Sequence, residues 1–480
     1  MYAQHATRPG RTLLTVCIAT AMLMLDIAVI NSALPRVALD LHARIDGVEW
    51  IIDAYTLALA ATVLTAGSIA DRFGRRRLFI AGLVLFTISS AVCAAATTIV
   101  ELDIARAVQG VGAAAMFSTS LALLGTAYPE WTKRAQALAI YGATIGASFA
   151  VGPLLGGAMT SWFGWRSVFL LNLPIGVLCF LGALAVRESR DPHPRRPDWI
   201  GQLLSGGALF LVILALLRGN VTGWTATSTL AEFAGALVLG VAFVVSQMRI
   251  AEPMLPPRMF ADRSFSGIQI AAFAISSSLF AIFVYLTFYL QNVLHLTPIE
   301  AGASWMPATT VNFLVAGATA SVLKRIDQKT VLIVGLAFVA VGLGLGLMAD
   351  EHSSWWMLLP AQVVSMIGCG LFNPVMSGLV LRESPAGQEA LAAGINDASR
   401  QTGIALGVAL LGALVPTGMV VDGHAYVVGM HHALWLAAGI AAAGVIAGWV
   451  LIRRTAPDAG ATATVVSKAP SVETLQPELV

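Results

Sequence analysis

Charge is what this sequence has least of. Only 11% of its 480 residues are Asp, Glu, Lys or Arg, while 57% are hydrophobic. A soluble globular chain carries roughly 25% charged residues. So few charges cannot cover a surface facing water, but a surface facing lipid needs none. Cysteine is scarce too. Cys17, Cys93, Cys179 and Cys369 fall one to each apolar run, with no close pair and no metal-ligand spacing, so neither a disulfide framework nor a cysteine zinc site is expected. The eight His residues form no metal motif, and no phosphate-cradling Walker loop is present. ATP is therefore not the direct energy source, no cofactor is expected, and no nucleophile setting suggests an enzyme. A net charge of +2 carries no nucleic-acid footprint.

What is present is apolar sequence in long runs. A bilayer core needs about 20 apolar residues per helix. Fourteen such runs can be marked, from 12–34 to 431–452; the two weakest, 299–323 and 391–415, carry polar residues. The first run outlasts the roughly 7–15 apolar residues of a signal peptide and contains Asp26, so it reads as a span and not as a cleaved leader. Orientation follows from the basic residues. With the N-terminus in the cytoplasm, only Arg36, Arg44, Arg166 and Arg218 of the 28 Lys and Arg fall outside, with Arg106 and Arg400 inside spans. Both termini are then cytoplasmic and the number of spans is even.

Residues 1–187 hold six spans, 188–263 two more between the Pro-containing linkers DPHPRRPD and EPMLPPR, and 264–452 a further six. Two related six-helix bundles with an inserted hairpin account for this division, and the tail 453–480 reads as disordered. A shift of 253 residues lays Gly82 on Gly335 and Arg72 on Arg325, a faint internal echo.

Five stretches carry chemistry. Between the second and third runs lies GSIADRFGRRR, Gly67 to Arg77. Gly74 can take a positive φ there, and Asp71 can cap the next helix or hold an Arg. The others are LDIAVINSALP (Leu25 to Pro35), IARAVQGVGAAAM (Ile104 to Met116), GATIGASFAVGPLLGGAM (Gly142 to Met159) and AAGINDASRQTGIALGVALLG (Ala392 to Gly412).

Together these resemble the major facilitator superfamily, and within it the fourteen-helix drug:proton antiporters. The resemblance runs from the first span to about residue 452. It implies an all-α integral membrane protein with two six-helix bundles and two inserted central helices. It also implies that Gly67, Asp71, Arg72, Gly74 and Arg75 form a loop whose Asp latches the cytoplasmic ends of the two halves. The counterpart loop, SVLKRIDQK, places Lys324 where Asp71 stands, so no symmetric second latch is expected. The Gly142 to Met159 helix marks exporters in that family, and on it rests the expectation of efflux.

The charges within spans each need a partner or a task, because a mid-bilayer charge costs about 2.5–3.5 kcal/mol. Asp26, Asp53 and Arg106 fall in the outer half of the first bundle, with Gln109 one turn past Arg106. Arg106 is expected to pair with Asp26 or Asp53. A carboxylate alternating between outer water and Arg106 can load a proton on one side and lose it on the other. Asp397 and Arg400, three apart on one helix, are expected to pair locally. Asn31, Asn396, Asp397 and Arg400 are candidates for lining a central cavity. Gly142 and Gly146, like Gly152 and Gly156, are spaced for close helix approach; Gly157 adjoins, and Pro153 invites a kink. Phe280, Phe283, Tyr285, Phe288 and Tyr289 face either an apolar pocket or lipid.

The reading is thus a proton-driven exporter of small hydrophobic or cationic drugs or toxic metabolites, multi-pass in the cytoplasmic membrane. Its partners are substrate, protons and the bilayer; a periplasmic adaptor is compatible with the sequence but not readable from it. A dedicated exporter of one metabolite or antibiotic, or an importer of sugars or anions, uses the same fold.

Overall fold

The computed structural model describes residues 9–191, 196–323, 325–385, 388–416 and 422–453. Lys324, the tail beyond Arg453 and residues 192–195 of the first linker lie outside the described residues.

The described chain is a sequence of helices. The first bundle contains α1 (Pro9–Asp40), α2 (Ile45–Phe73), α3 (Arg75–Ala95), α4 (Ile99–Ala127), α5 (Trp131–Phe163) and a final rod made of α6 (Arg166–Leu170) and α7 (Asn172–Ala183). A pair follows, α8 (Trp199–Thr222) and α9 (Thr227–Arg249), then a short α10 (Pro257–Phe260). One long rod joins α11 (Arg263–Ile275), a π-helical turn (Ser276–Phe280), α12 (Ala281–Phe288) and a second π-helical turn (Tyr289–Val293). The last elements are α13 (Pro298–Ser304), α14 (Met306–Val322), α15 (Gln328–Leu345), α16 (Leu359–Arg382), α17 (Glu389–Gly412) and α18 (Gly423–Leu451).

Local chemistry sets several of these ends. Thr98 and Glu101 close a reciprocal capping box at α4, and Thr297 and Glu300 another at α13. Asp198, Asp262 and Asp327 cap α8, α11 and α15 through their side chains. Gly74, at φ 118°, turns α2 into α3 with no intervening loop, a conformation an L side chain rarely adopts.

All fourteen apolar runs are helical. Twelve helices among the described residues are long and apolar enough to cross a membrane by length and composition. The run 299–323 falls short because it breaks at Trp305, ahead of Pro307, leaving α14 with 17 residues; proline cannot continue a helix from the preceding turn. The run 391–415 is carried by one helix, α17, but Asn396, Asp397, Arg400 and Gln401 lower its hydropathy. On α9, Leu237 (69% exposed), Val241, Val244 and Met248 form an outward apolar stripe, a face that suits lipid and not water.

Within the first bundle α2 and α3 pack on α4, and α1 packs on α5 and α7. Within the last, α15 and α14 pack on α16, and α18 on α15 and α11. The pair α8 and α9 lean on each other, and α8 also touches α2 and α17. There Ile213 and Leu217 meet Leu57 and the small residues Ala405 and Ala409 in a buried cluster. The echo of Gly82 and Gly335 is structural. Gly82 crosses α4 against Gly112, and Gly335 crosses α16 against Gly368, each with room for no side chain.

Candidate functional site: a buried charge network and the contact between bundles

In the first bundle the sequence brings together α1, α4 and α7 around one carboxylate. Asp26 Oδ2 lies 2.6 Å from Arg106 Nη1. Its Oδ1 accepts from Asn172 Nδ2 at 2.8 Å and from Gln109 Nε2 at 3.1 Å. Arg106 also donates to Gln109 Oε1 at 2.8 Å and, through Nε, to the Ile51 carbonyl at 3.0 Å. The Tyr55 ring lies 4.2 Å beneath the guanidinium, close enough for a cation–π contact. Asn172 further donates to Ser90, which donates to the Phe169 carbonyl. Asp26 is 2% exposed and Arg106 1%. A charge pair this dry is held by its hydrogen bonds as much as by Coulomb attraction.

Of the two carboxylates expected as partners of Arg106, Asp26 takes it and Asp53 does not. Asp53 is fully buried, and neither of its carboxylate oxygens has a hydrogen-bond partner. A carboxylate buried without a hydrogen-bond donor is costly to hold as an anion. Four neighbours carry no signal in the sequence. Asn172, Ser90 and Tyr55 looked like ordinary polar interruptions of apolar runs, and Glu49, buried at 3%, sits too near the start of its run to be counted as intramembrane.

The second bundle corrects one expectation. Asp397 and Arg400 do not close an ion pair within 4 Å; Asp397 Oδ2 and Arg400 Nε are both buried without partners. Arg400 lies instead 5.9 Å from the Phe280 ring, Asp397 faces Gln401 on the next turn, and Asn396 donates to Gln269 of α11 at 3.1 Å. Phe280 also meets Phe149 of α5 at 5.7 Å, a ring contact between the bundles. Tyr55 stands between the two charge groups. Its ring carries Arg106, and its buried hydroxyl, with no partner, is within electrostatic reach of Asp397. Asn31 turns back on its own helix, donating to the Ile27 carbonyl.

The bundles touch along α2 and α17, from Gly412 against Glu49 down to Gly394 against Leu64, and again at the end away from the Gly74 turn. Gln291 Nε2 donates to the Ser32 carbonyl at 2.9 Å, and the Ile299 amide to Ser161 Oγ at 3.1 Å. Gly157 sits on the Pro298 carbonyl and Gly302 on the Pro153 carbonyl, each so close that a methyl group would overlap backbone. Gly152 and Gly156 pack as closely on Ala28 and Val29 of α1, and Ser32 Oγ donates to the Pro153 carbonyl. Gly142 and Gly146 differ from the expectation: nothing lies within 4 Å of where their side chains would start. Only the far half of α5 is a close-packed seam, and α5 runs unbroken through Pro153.

At the Gly74 end the expected latch is also different. Asp71 Oδ1 holds Arg75 of its own loop at 2.8 Å. The Arg75 amide donates to Ser189, the Asp191 amide to Asp71, and the Arg76 amide to Glu188. The loop thereby grips the segment after α7, in its own half. Arg72 is exposed and Gly67 has open space around it. Glu188, missing from the sequence reading, fills the place a side chain at residue 74 would need. Of the aromatic group, Tyr285, Phe288 and Tyr289 are buried, and Phe283 meets the Trp305 ring at 4.2 Å in a tilted contact, so these face protein. Among the described residues no group of three or more His, Cys, Asp or Glu could hold a metal ion.

Comparison with known proteins places this architecture. The Major Facilitator Superfamily description matches residues 16–328 and 311–476. The chain is 34% identical over 485 residues, covering 95% of it and 94% of the relative, to the puromycin resistance protein pur8 of Streptomyces alboniger. It is 32% identical over 413 residues, covering 85% and 76%, to the tetracenomycin C resistance and export protein of Streptomyces glaucescens. Its fold superposes with a TM-score of 0.66 on a peptide transporter POT crystallised with sulfate, at 16% identity and covering 92% of this chain and 93% of that one. The many apolar helices, the paired bundles and these matches agree: the chain is a multi-pass membrane protein that belongs to the Major Facilitator Superfamily.

Proposed function

We propose that this protein exports small hydrophobic or cationic drugs or toxic metabolites, and that it does so by proton antiport. The observation that carries the reading is the dry cluster of Asp26, Arg106, Gln109 and Asn172, with the unpartnered Asp53 on the neighbouring helix. Resistance and export appear in the names of its relatives, which supports efflux over import and antibiotic resistance as its consequence. A dedicated exporter of one antibiotic would share every feature described.

In this reading the Gly74 end faces the cytoplasm, as the basic residues around it favour, and both termini lie inside the cytoplasmic membrane's inner face. Fourteen helices cross the bilayer in a six-two-six order, α17 and the broken α13–α14 among them. A shallow charge count on α17 is tolerable because its polar face is turned to protein. In this reading the glycine contacts at the far end and the self-contained Asp71–Arg75 pair support an arrangement closed on its outer side. Protons loaded from outside compete with substrate for acidic groups in the first bundle, and the gradient drives the exchange, about 2.3 kcal/mol per charge for each 100 mV.

The test is efflux from inverted vesicles with and without a pH gradient, using a panel of toxic substrates. Uncoupler should abolish accumulation in the parent, and Asp26→Asn should show none. Accumulation that ignores uncoupler would remove proton antiport; full coupled transport by Asp26→Asn would remove Asp26 from it.

A further inference from the structure

At the far end a third acidic group joins the bundles. Glu49, in the first turns of α2, is buried, and its Oε1 lies 2.7 Å from the Tyr285 hydroxyl of α12. That hydroxyl lies 2.6 Å from the Val408 carbonyl of α17 as well. Tyr426 of α18 donates to the Tyr285 carbonyl at 2.8 Å, fixing the tyrosine backbone. Glu49 and Tyr285 belong to different bundles, so the contact exists only while the far end is closed. Gly412 of α17 leaves the space that the Glu49 carboxylate and the Tyr285 hydroxyl fill.

A proton count decides the chemistry. The phenol has one hydrogen, and a backbone carbonyl can only accept. Two oxygens crowd the hydroxyl at hydrogen-bond distance. If Tyr285 donates to Val408, the contact with Glu49 needs a hydrogen from the carboxyl. If it donates to Glu49, the carbonyl contact is left as bare oxygen against oxygen. A protonated Glu49 gives each of the two contacts its own hydrogen. We propose that Glu49 is a proton-binding site of the transport cycle, protonated when the far end is closed and donating to Tyr285, which donates to Val408. Loss of that proton places a charge in a buried seam between bundles and favours opening.

The surroundings agree. Asp53 lies one turn further on the same helix, and Asp103 of α4 acts on Asp53 in turn. Of the arginines on neighbouring helices, Arg106 is paired with Asp26 and Arg218 of α8 with Glu232. Tyr285 and Tyr426 face Glu49 from α12 and α18. On α17 the charged groups among the described residues, Asp397 and Arg400, lie about three to four turns away by position. This site refines the antiport reading above and rests on it for its place in the cycle: external protons would close the outer side and return the carrier for new substrate.

The test uses the full chain in lipid nanodiscs, where both faces share one pH. Ser32→Cys places a reporter at the far-end seam, where Ser32 is 3% exposed; the native cysteines are buried, and the chain without the reporter supplies the blank. Labelling by a thiol reagent is compared between parent and Glu49→Gln at each pH, so that thiolate chemistry cancels. Glu49→Gln keeps a donor toward Tyr285 and should stay closed. The parent-to-variant labelling ratio should rise with pH, by at most about tenfold per unit for one proton. A ratio independent of pH overturns the proposal. Tyr285→Phe serves independently should Glu49→Gln not fold: it should label strongly at every pH, and a parent-like pH response in it also overturns the proposal. Uncoupler-insensitive efflux sinks antiport without touching this ratio, so the two failures are distinguishable.

Discussion

Asp26 and Arg106 offer the sharpest energetic test. The pair is almost fully enclosed, and Asp26 also satisfies Asn172 and Gln109. Asp26→Asn leaves a guanidinium in a dry site with no counter-charge. Breaking one side of a buried pair costs about 3–5 kcal/mol, because the survivor is not rehydrated. Arg106→Gln should cost a similar amount, with Asp26 as the stranded ion. The double variant strands neither, so its loss should be smaller than the sum of the two. The coupling between close charged partners is about 0.5–3 kcal/mol in such cycles, and the enclosure here argues for the upper end. Thermal or denaturant unfolding of the detergent-solubilised protein, for the parent and three variants, closes the cycle. Additive losses would refute the reasoning, since independent sites add. Transport separates structure from coupling: the double variant should regain folded protein and still fail to accumulate substrate under a pH gradient.

The glycine seam makes a position-specific prediction. Gly157→Ala and Gly302→Ala each drive a methyl into backbone of the other bundle and should sharply reduce efflux, while Gly142→Ala and Gly146→Ala, with open space, should retain it in the same vesicle assay. Gly74→Ala requires a strained backbone at φ 118° and meets Glu188; a cost of about 1–3 kcal/mol should show as a lower melting temperature, partly relieved by Glu188→Ala. Asp71→Asn breaks a partly exposed pair worth about 0–1 kcal/mol, so melting should barely move, and any loss of efflux would report on conformational exchange. Phe280→Ala or Phe149→Ala removes a ring contact between bundles; each should change which substrates are exported, read as altered ratios across the panel.

Much of the molecule could be read from the chain because membrane folding leaves few choices. Backbone groups in hydrocarbon must be bonded within the helix, so the long apolar runs are helical, the weak run 391–415 as α17 and 299–323 as the two pieces α13 and α14. Gly74 was legible for a local reason, since a turn without a loop needs its φ. Intramembrane charge pointed to Asp26, Asp53 and Arg106 because such residues are costly unless they are partnered or used. Which carboxylate Arg106 would choose was not legible. That depends on how α1, α2 and α4 rotate about their own axes, and only packing sets rotation.

Tertiary structure alone decided the rest. Asn172 and Ser90 complete the Asp26 cluster from α7 and α3, too far along the chain for any spacing rule to connect them. Asp397 and Arg400 had helical proximity in their favour, yet the side chains diverge, Asp397 toward Gln401 of its own helix and Arg400 toward Phe280 of the first π turn. The glycines of α5 look alike in sequence, but only Gly152 and Gly156, against α1, and Gly157, against Pro298 of the other bundle, meet a neighbouring chain segment, while Gly142 and Gly146 face open space. Glu49 was ordinary in sequence and becomes a candidate proton site only where Tyr285 of the other bundle reaches it. Sequence determined which segments must be helical and which charges must be used, because the solvent enforces both. The pairing of those charges, and the places at which the two bundles meet, belong to three-dimensional packing, because they depend on contacts between residues hundreds of positions apart.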